Sequence, residues 1–136
     1  MIKQVAHVCI GSTDLAKTEH FYCDILGMER GFDFLKNGEL YGYYLKTGEN
    51  TYIEVFTQNE VNHNKPIIQH LCLEVEDLDA VISAVRGKGA EITDKKQGTD
   101  KSWQAWMTDP SGVRIELMQY TDESSQFTGN PCIVTW

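Results

Sequence analysis

Two stretches of this chain, AHVCIGSTDLAK at 6–17 and QHLCLEVEDLDA at 69–80, are variants of one another. His7 matches His70, Cys9 matches Cys72, Asp14 matches Asp77 and Leu15 matches Leu78, all at an offset of 63 residues. Farther along, Ile53-Glu54-Val55 answers Ile115-Glu116-Leu117, and Gly27 answers Gly89, both at an offset of 62. Self-similarity at a fixed period restricts a chain to repeated supersecondary units that bury a common core. The 136 residues therefore read as two copies of one module, each with a histidine near its start and a glutamate near its end.

Each copy predicts the same order of elements. The β-rich run IKQVAHVCI at 2–10 stops at Gly11. Its period of two puts Val5, His7 and Cys9 on one face and Ala6, Val8 and Ile10 on the other. Ser12, Thr13 or Asp14 then caps a helix over LAKTEHFYCDIL at 15–26, closed by Gly27. MERGFDFL, LYGYYLKT and TYIEVFTQ follow, separated by Lys36-Asn37-Gly38 and Gly48-Glu49-Asn50, and predict an antiparallel meander. A polar linker, NEVNHNKP at 59–66, leads to the second copy. There the strand IIQHLCLEV precedes a helix opened by Asp77 and closed by Gly87 and Gly89, with Leu78, Val81, Ile82 and Val85 in one apolar stripe. A strand near AEITDKK, a polar loop at 97–102, the strand WQAWMTD, the turn Asp109-Pro110-Ser111-Gly112 and the strand VRIELMQY complete it.

The expectation is a single α+β domain over 1–136, with one βαβββ module at 1–60 and a second at 66–121. The tail at 122–136 fits neither repeat. Its Phe127, Cys132, Ile133, Val134 and Trp136 are apolar enough to pack back on the domain or on a partner chain. A formal charge of -8 argues against a broad nucleic-acid or anionic-membrane surface, since both need clustered Lys and Arg. No stretch approaches the roughly 18 apolar residues of a membrane span. The N-terminus enters a strand pattern without an apolar signal core, so the expected address is the cytoplasm. Cys9, Cys23, Cys72 and Cys132 form no CxxC pair and read as reduced thiols.

His7, Glu54, His70 and Glu116 each sit inside a strand. Taken singly, a mid-strand glutamate suits a solvated face, and a histidine suits a hydrogen-bonded structural role. Their recurrence in both copies changes the reading. Pseudo-two-fold packing of two related modules would bring two imidazoles and two carboxylates together, a donor set suited to a divalent cation with room for water or substrate. Cys9 and Cys72 follow each histidine by two residues and read as small cavity-wall residues, with soft ligation the other option. His20 reads as a helix-face residue and His63 as a solvated loop residue.

The paired modules and these four residues resemble the vicinal oxygen chelate superfamily, most closely small bacterial glyoxalase I-type proteins. DLAKTEHFYCDILGM at 14–28 is similar to that superfamily's helix-and-glycine signature, and DPSGVRIELMQY at 109–120 is similar to its closing strand. The resemblance covers residues 2–121. It implies a U-shaped, partly closed mixed sheet around one divalent metal held by His7, Glu54, His70 and Glu116, the metal being nickel, cobalt or zinc, with manganese or iron as further options. It implies lyase or isomerase chemistry of the lactoylglutathione lyase type on a small substrate with vicinal oxygens. Glu116 or Glu54 would be the base, and the reaction would pass through a metal-bound enediolate. A homodimer is implied as well, with the site inside one chain or across two.

The same scaffold supports epimerases, extradiol dioxygenases and non-enzymatic proteins that sequester ligands in the cleft, so these remain alternatives. Trp103, Trp106, Tyr41, Tyr43 and Tyr44 are the aromatic candidates for a cleft lining. The sequence also departs from the glyoxalase I pattern. Gly11 stands where those proteins carry an arginine toward glutathione, Gln58 stands near the place of an asparagine, and NKPIIQH replaces a small-residue approach to the second histidine.

Overall fold

A computed structural model describes residues 1–25, 28–59, 68–108 and 114–136, apart from the side chains of residues 21 and 25. Gly27, the linker beyond Asn59, His63 and the turn at 109–112 lie outside the described residues. The chain runs β1 (Ile2–Ser12), α1 (Leu15–Glu19), a π-helical turn (His20–Ile25), β2 (Glu29–Lys36), β3 (Glu39–Lys46) and β4 (Tyr52–Thr57). It continues with β5 (Ile68–Val75), α2 (Leu78–Gly87), β6 (Lys96–Gln97), β7 (Trp103–Thr108), β8 (Arg114–Gln119), α3 (Ser125–Thr128) and β9 (Cys132–Ile133).

The strands form one sheet in the order β6-β7-β8-β5-β1-β4-β3-β2-β9. Without β9 this order is a palindrome of the two modules. β1 pairs parallel with β4, β5 pairs parallel with β8, and β1 and β5 join the halves antiparallel. The sheet curls into a half-barrel. Phe34 on β2 and Trp106 on β7 are six strands apart, about 29 Å if the sheet were flat, yet both line one cavity.

Local chemistry explains the elements. Asp14 caps α1 by accepting from the Lys17 N–H at 3.0 Å, and Asp77 caps α2 by accepting from the Ala80 N–H at 3.0 Å. The β2–β3 hairpin turns through Asn37 and Gly38, both at positive φ, the conformation a tight hairpin requires. Leu78, Val81 and Ile82 bury the α2 stripe against Ala105 and Leu117. On the other half, Phe32, Phe34, Tyr44 and Tyr52 pack with Cys132 and Val134.

Three expectations need correction. The face assignment on β1 fails at Val5, which is exposed while His7 and Cys9 are buried. A register irregularity between Val5 and His7 breaks the alternation. The first helix is α-helical only to Glu19 and then π-helical, and the Tyr43 hydroxyl donates to the Leu15 carbonyl at 2.7 Å within its first turn. The strand expected at AEITDKK shrinks to Lys96–Gln97. Its preceding residues are tethered to α2 instead, by Arg86 to the Ile92 carbonyl and Asp94, and by Lys95 to Asp79.

The tail packs back on the same chain. β9 pairs with Phe34 and Leu35 of β2. Asp100, in the loop before β7, accepts from the Ser125 N–H through its carbonyl and from the Gln126 amide through its carboxylate. Ser102 and Ser124 share a hydroxyl hydrogen bond of 2.8 Å. The tail thus straps the β6–β7 loop to β2, which belong to opposite ends of the eight-strand palindrome.

Candidate metal centre

The two central strands and their outer neighbours deliver one donor each. His7 comes from β1, His70 from β5, Glu54 from β4 and Glu116 from β8, so the carboxylates flank the imidazoles on opposite sides. The Nε2 atoms of His7 and His70 lie 2.9 Å apart. Glu54 Oε2 is 3.4 Å from each of them, and Glu116 Oε2 is 3.3 Å from each. One chain therefore brings together all four residues singled out in the sequence. All are substantially withdrawn from solvent: His7, Glu54 and Glu116 are buried, and the His70 side chain is 12% exposed. The solvated-face reading of the two glutamates is thereby overturned.

The spacing suits a cation. Bonds of about 2.0–2.2 Å from zinc to nitrogen and oxygen donors leave neighbouring donor atoms roughly 2.9–3.5 Å apart, the range that these five separations occupy. Two imidazoles with a carboxylate on either flank, gathered out of water, carry a cost that a proton or a cation must offset. Burial alone would raise the Glu116 carboxyl. Hydrogen bonds and charge from His7 and His70 outweigh it and bring it down to about 2. His7 moves well above its usual 6.5. Burial opposes that shift, but Cys72, Glu54 and Glu116 around the ring prevail. A divalent ion would take the place of that proton.

The far side of His7 is held too. Its Nδ1 is 2.8 Å from the Tyr44 hydroxyl, itself buried. When Nδ1–H donates to that hydroxyl oxygen, Nε2 is left with its lone pair toward the other three donors. Cys72 and Cys9 are both fully buried, and Cys72 Sγ lies within 4.8 Å of the His7 and Glu116 donor atoms. Burial pushes the Cys72 thiol up to about 12 and the Cys9 thiol further, so both stay neutral, and neither lines the cavity as the cavity-wall expectation had it. All four cysteines are free. His20 sits on the π-helical turn, paired with Asp24 at 2.7 Å, away from the cluster.

The cluster opens on a cavity of about 240 Å³. Phe34, Phe56, Trp106, Met118 and Trp136 form its apolar wall, while Thr99, Asp100, Gln104 and Arg114 supply polar groups. Of the aromatics proposed for a cleft, only Trp106 and Tyr44 line it. Trp103 packs toward α2, Tyr41 packs against the β2–β4 core, and the Tyr43 ring is buried on the α1 side. Sequence reasoning missed Asp100, Arg114, Phe34, Phe56 and Trp136. Arg114 alone carried a signal, two residues before Glu116 and therefore on its face of the strand. The arginine absent at position 11 has no space as the chain stands, because a side chain there would run into the Gln58 amide.

Comparison with known proteins identifies the family. The family model for the Glyoxalase/Bleomycin resistance protein/Dioxygenase superfamily matches residues 4–117, and the chain belongs to that superfamily. It is 35% identical over 125 residues to a probable lactoylglutathione lyase of Synechocystis, covering 83% of this chain and 92% of that one. It is 25% identical over 132 residues to the uncharacterized protein YaeR of Escherichia coli, covering 87% and 97%. Among solved structures it resembles methylmalonyl-CoA epimerase from Mycobacterium tuberculosis, with a TM-score of 0.73, 24% identity and coverage of 88% and 89%. Superfamily members generally bind a divalent metal, and most are enzymes acting on small molecules. Among the described residues, no helix is long and apolar enough to cross a membrane.

Proposed function

We propose that this protein is a metal-dependent lyase or isomerase of the glyoxalase I type, with His7, Glu54, His70 and Glu116 as ligands of one divalent ion. The observation that carries the reading is that each carboxylate oxygen lies within 3.4 Å of both imidazole nitrogens, themselves 2.9 Å apart, at the wall of a half-open cavity. Nickel, cobalt or zinc fits two nitrogens and two oxygens, and manganese and iron fit less closely. Bound there, the ion would act as a Lewis acid toward two adjacent substrate oxygens and offset negative charge that develops on them.

The chain's own groups do the rest. For a thiohemiacetal of a 2-oxoaldehyde, Glu116 or Glu54 takes the proton from the carbon bearing sulfur. The proton returns to the neighbouring carbon, giving a 2-hydroxyacyl thioester with no net change in atoms or electrons. Phe34, Phe56 and Trp136 offer an apolar wall against which the substrate's carbons would lie. The Tyr44 hydroxyl, 2.8 Å from Nδ1, orients the His7 ring. A second reading, epimerisation, draws on the placement of the two carboxylates on opposite flanks of the histidines, which suits removal and return of a proton on opposite faces.

The test is turnover in deuterated buffer by protein loaded with single metals, supplied with methylglyoxal and glutathione or another small thiol. NMR of the product should show a 2-hydroxyacyl thioester carrying solvent deuterium, with activity abolished in Glu116→Gln or Glu54→Gln. Absence of thioester with every thiol and every metal would overturn the lyase reading.

A further inference from the structure

The cavity has one strongly basic side chain. Among the described residues that line it, Glu54, Glu116 and Asp100 are acidic, whereas Arg114 is the only Lys or Arg. Asp100 is occupied by the Ser102 N–H and the Gln126 amide. A divalent ion would balance Glu54 and Glu116. Arg114 would then be left as uncompensated positive charge beside the site. Among the described residues it has no carboxylate within ion-pair distance.

Its position is built rather than incidental. The guanidinium lies 4.5 Å over the Trp106 ring, and the other relationship of that ring is an edge contact with His70 at 5.0 Å between centroids. The Trp106 indole N–H donates to Gln104 at 2.6 Å, which fixes the ring. Arg114 and Glu116 are alternate residues of β8, so they share a face about 7 Å apart along the strand. A guanidinium stacked on a fixed aromatic plane keeps its planar fork available for a carboxylate.

We propose that Arg114, stacked on Trp106, binds a carboxylate on the substrate a few bonds from the vicinal oxygens held at the His7, Glu54, His70 and Glu116 centre. The substrate is thus an anionic molecule, with chelating oxygens at one end and a carboxylate at the other. This assignment rests on the metal-centre reading above. It makes Arg114 a specificity-determining residue, because a neutral substrate leaves the guanidinium without its partner.

Calorimetric titration of the zinc-loaded protein with two hydroxamates of equal length separates the possibilities. Butyrohydroxamate presents only the two chelating oxygens, and the monohydroxamate of succinate adds the distal carboxylate. The wild type should bind the succinate probe about fivefold more tightly than the neutral one, the worth of one well-placed ion pair at an exposed position. The two probes should bind alike to Arg114→Gln, and Arg114→Lys should recover part of the preference. Equal binding by the wild type, or a preference that survives in Arg114→Gln, overturns the proposal while leaving the metal centre intact. Binding of neither probe to protein that retains no zinc overturns the metal-centre reading, and the assignment of Arg114 with it.

Discussion

The Tyr44 hydroxyl lies 2.8 Å from Nδ1 of His7, on the side of the ring opposite the three other donors. Both groups are buried, so neither can exchange this bond for water. With Nδ1–H engaged by the Tyr44 oxygen, Nε2 keeps its lone pair toward Glu54, His70 and Glu116. Tyr44→Phe should lower metal affinity about tenfold or more, as loss of an outer hydrogen bond to a ligating histidine generally does. Its cost to the fold should be about 1 kcal/mol plus the burial of an unsatisfied Nδ1. Competition with a chromophoric chelator measures the first effect, and unchanged affinity would remove Tyr44 from the site.

The pH dependence has two signs. His7 holds its proton more tightly when folded, so that stabilisation is complete below pH 6.5 and fades as pH rises through the raised folded value. Glu116 drops from 4.5 to about 2, so its contribution is complete above 4.5 and is lost as pH falls through about 2. For these two groups the metal-free protein is favoured most between 4.5 and 6.5. Metal affinity should instead rise with pH, because the ion displaces a proton from His7. Calorimetric melting with and without metal checks both, and a metal-free protein that gains stability from the His7 titration above pH 6.5 would contradict the account.

Gly42 pairs with Phe56 across β3 and β4, and a Cβ there would collide with the Val55 carbonyl and the Phe56 ring. The carbonyl belongs to the backbone and cannot turn aside. Gly42→Ala should cost about 1–3 kcal/mol, and by shifting β4 it should also weaken metal binding through Glu54. Chemical denaturation and the chelator competition read the two effects. A variant with full stability would show that the strands separate freely.

Leu78, fully buried at the start of α2, makes the contrasting case. Leu78→Ala should cost about 2–5 kcal/mol. Because its cluster joins α2 to β5, β7 and β8 without including any of the four donor residues, the folded fraction should retain metal affinity. Loss of affinity in proportion to lost stability would instead tie the site to that packing.

Much of this was legible in the sequence because the repeat acts on both levels. Paired histidines and glutamates at offsets of 63 and 62 foretold four donors from four strands; Asp77 was foretold as the cap of α2, whereas Asp14 was one of three candidates for α1. What escaped depends on registry and long-range packing. No pattern in residues 2–10 signals the irregularity that turns Val5 out, and over six residues α-helical and π-helical apolar spacings do not separate. The strap formed by the tail needs Asp100 to meet Gln126, a meeting fixed only by the closed sheet. Tyr44 looked like one of a row of strand aromatics, and only the curl of the sheet sets it against His7.

The most direct test of the central claim is elemental analysis of the purified protein, repeated after stripping and refilling with single divalent metals. The account predicts about one tightly held ion per chain, lost in His7→Ala and in His70→Ala while the folded β-sheet signal persists. No metal above background after any refilling, with the wild-type fold intact, would contradict it and leave the four converging residues as a proton-bridged core cluster.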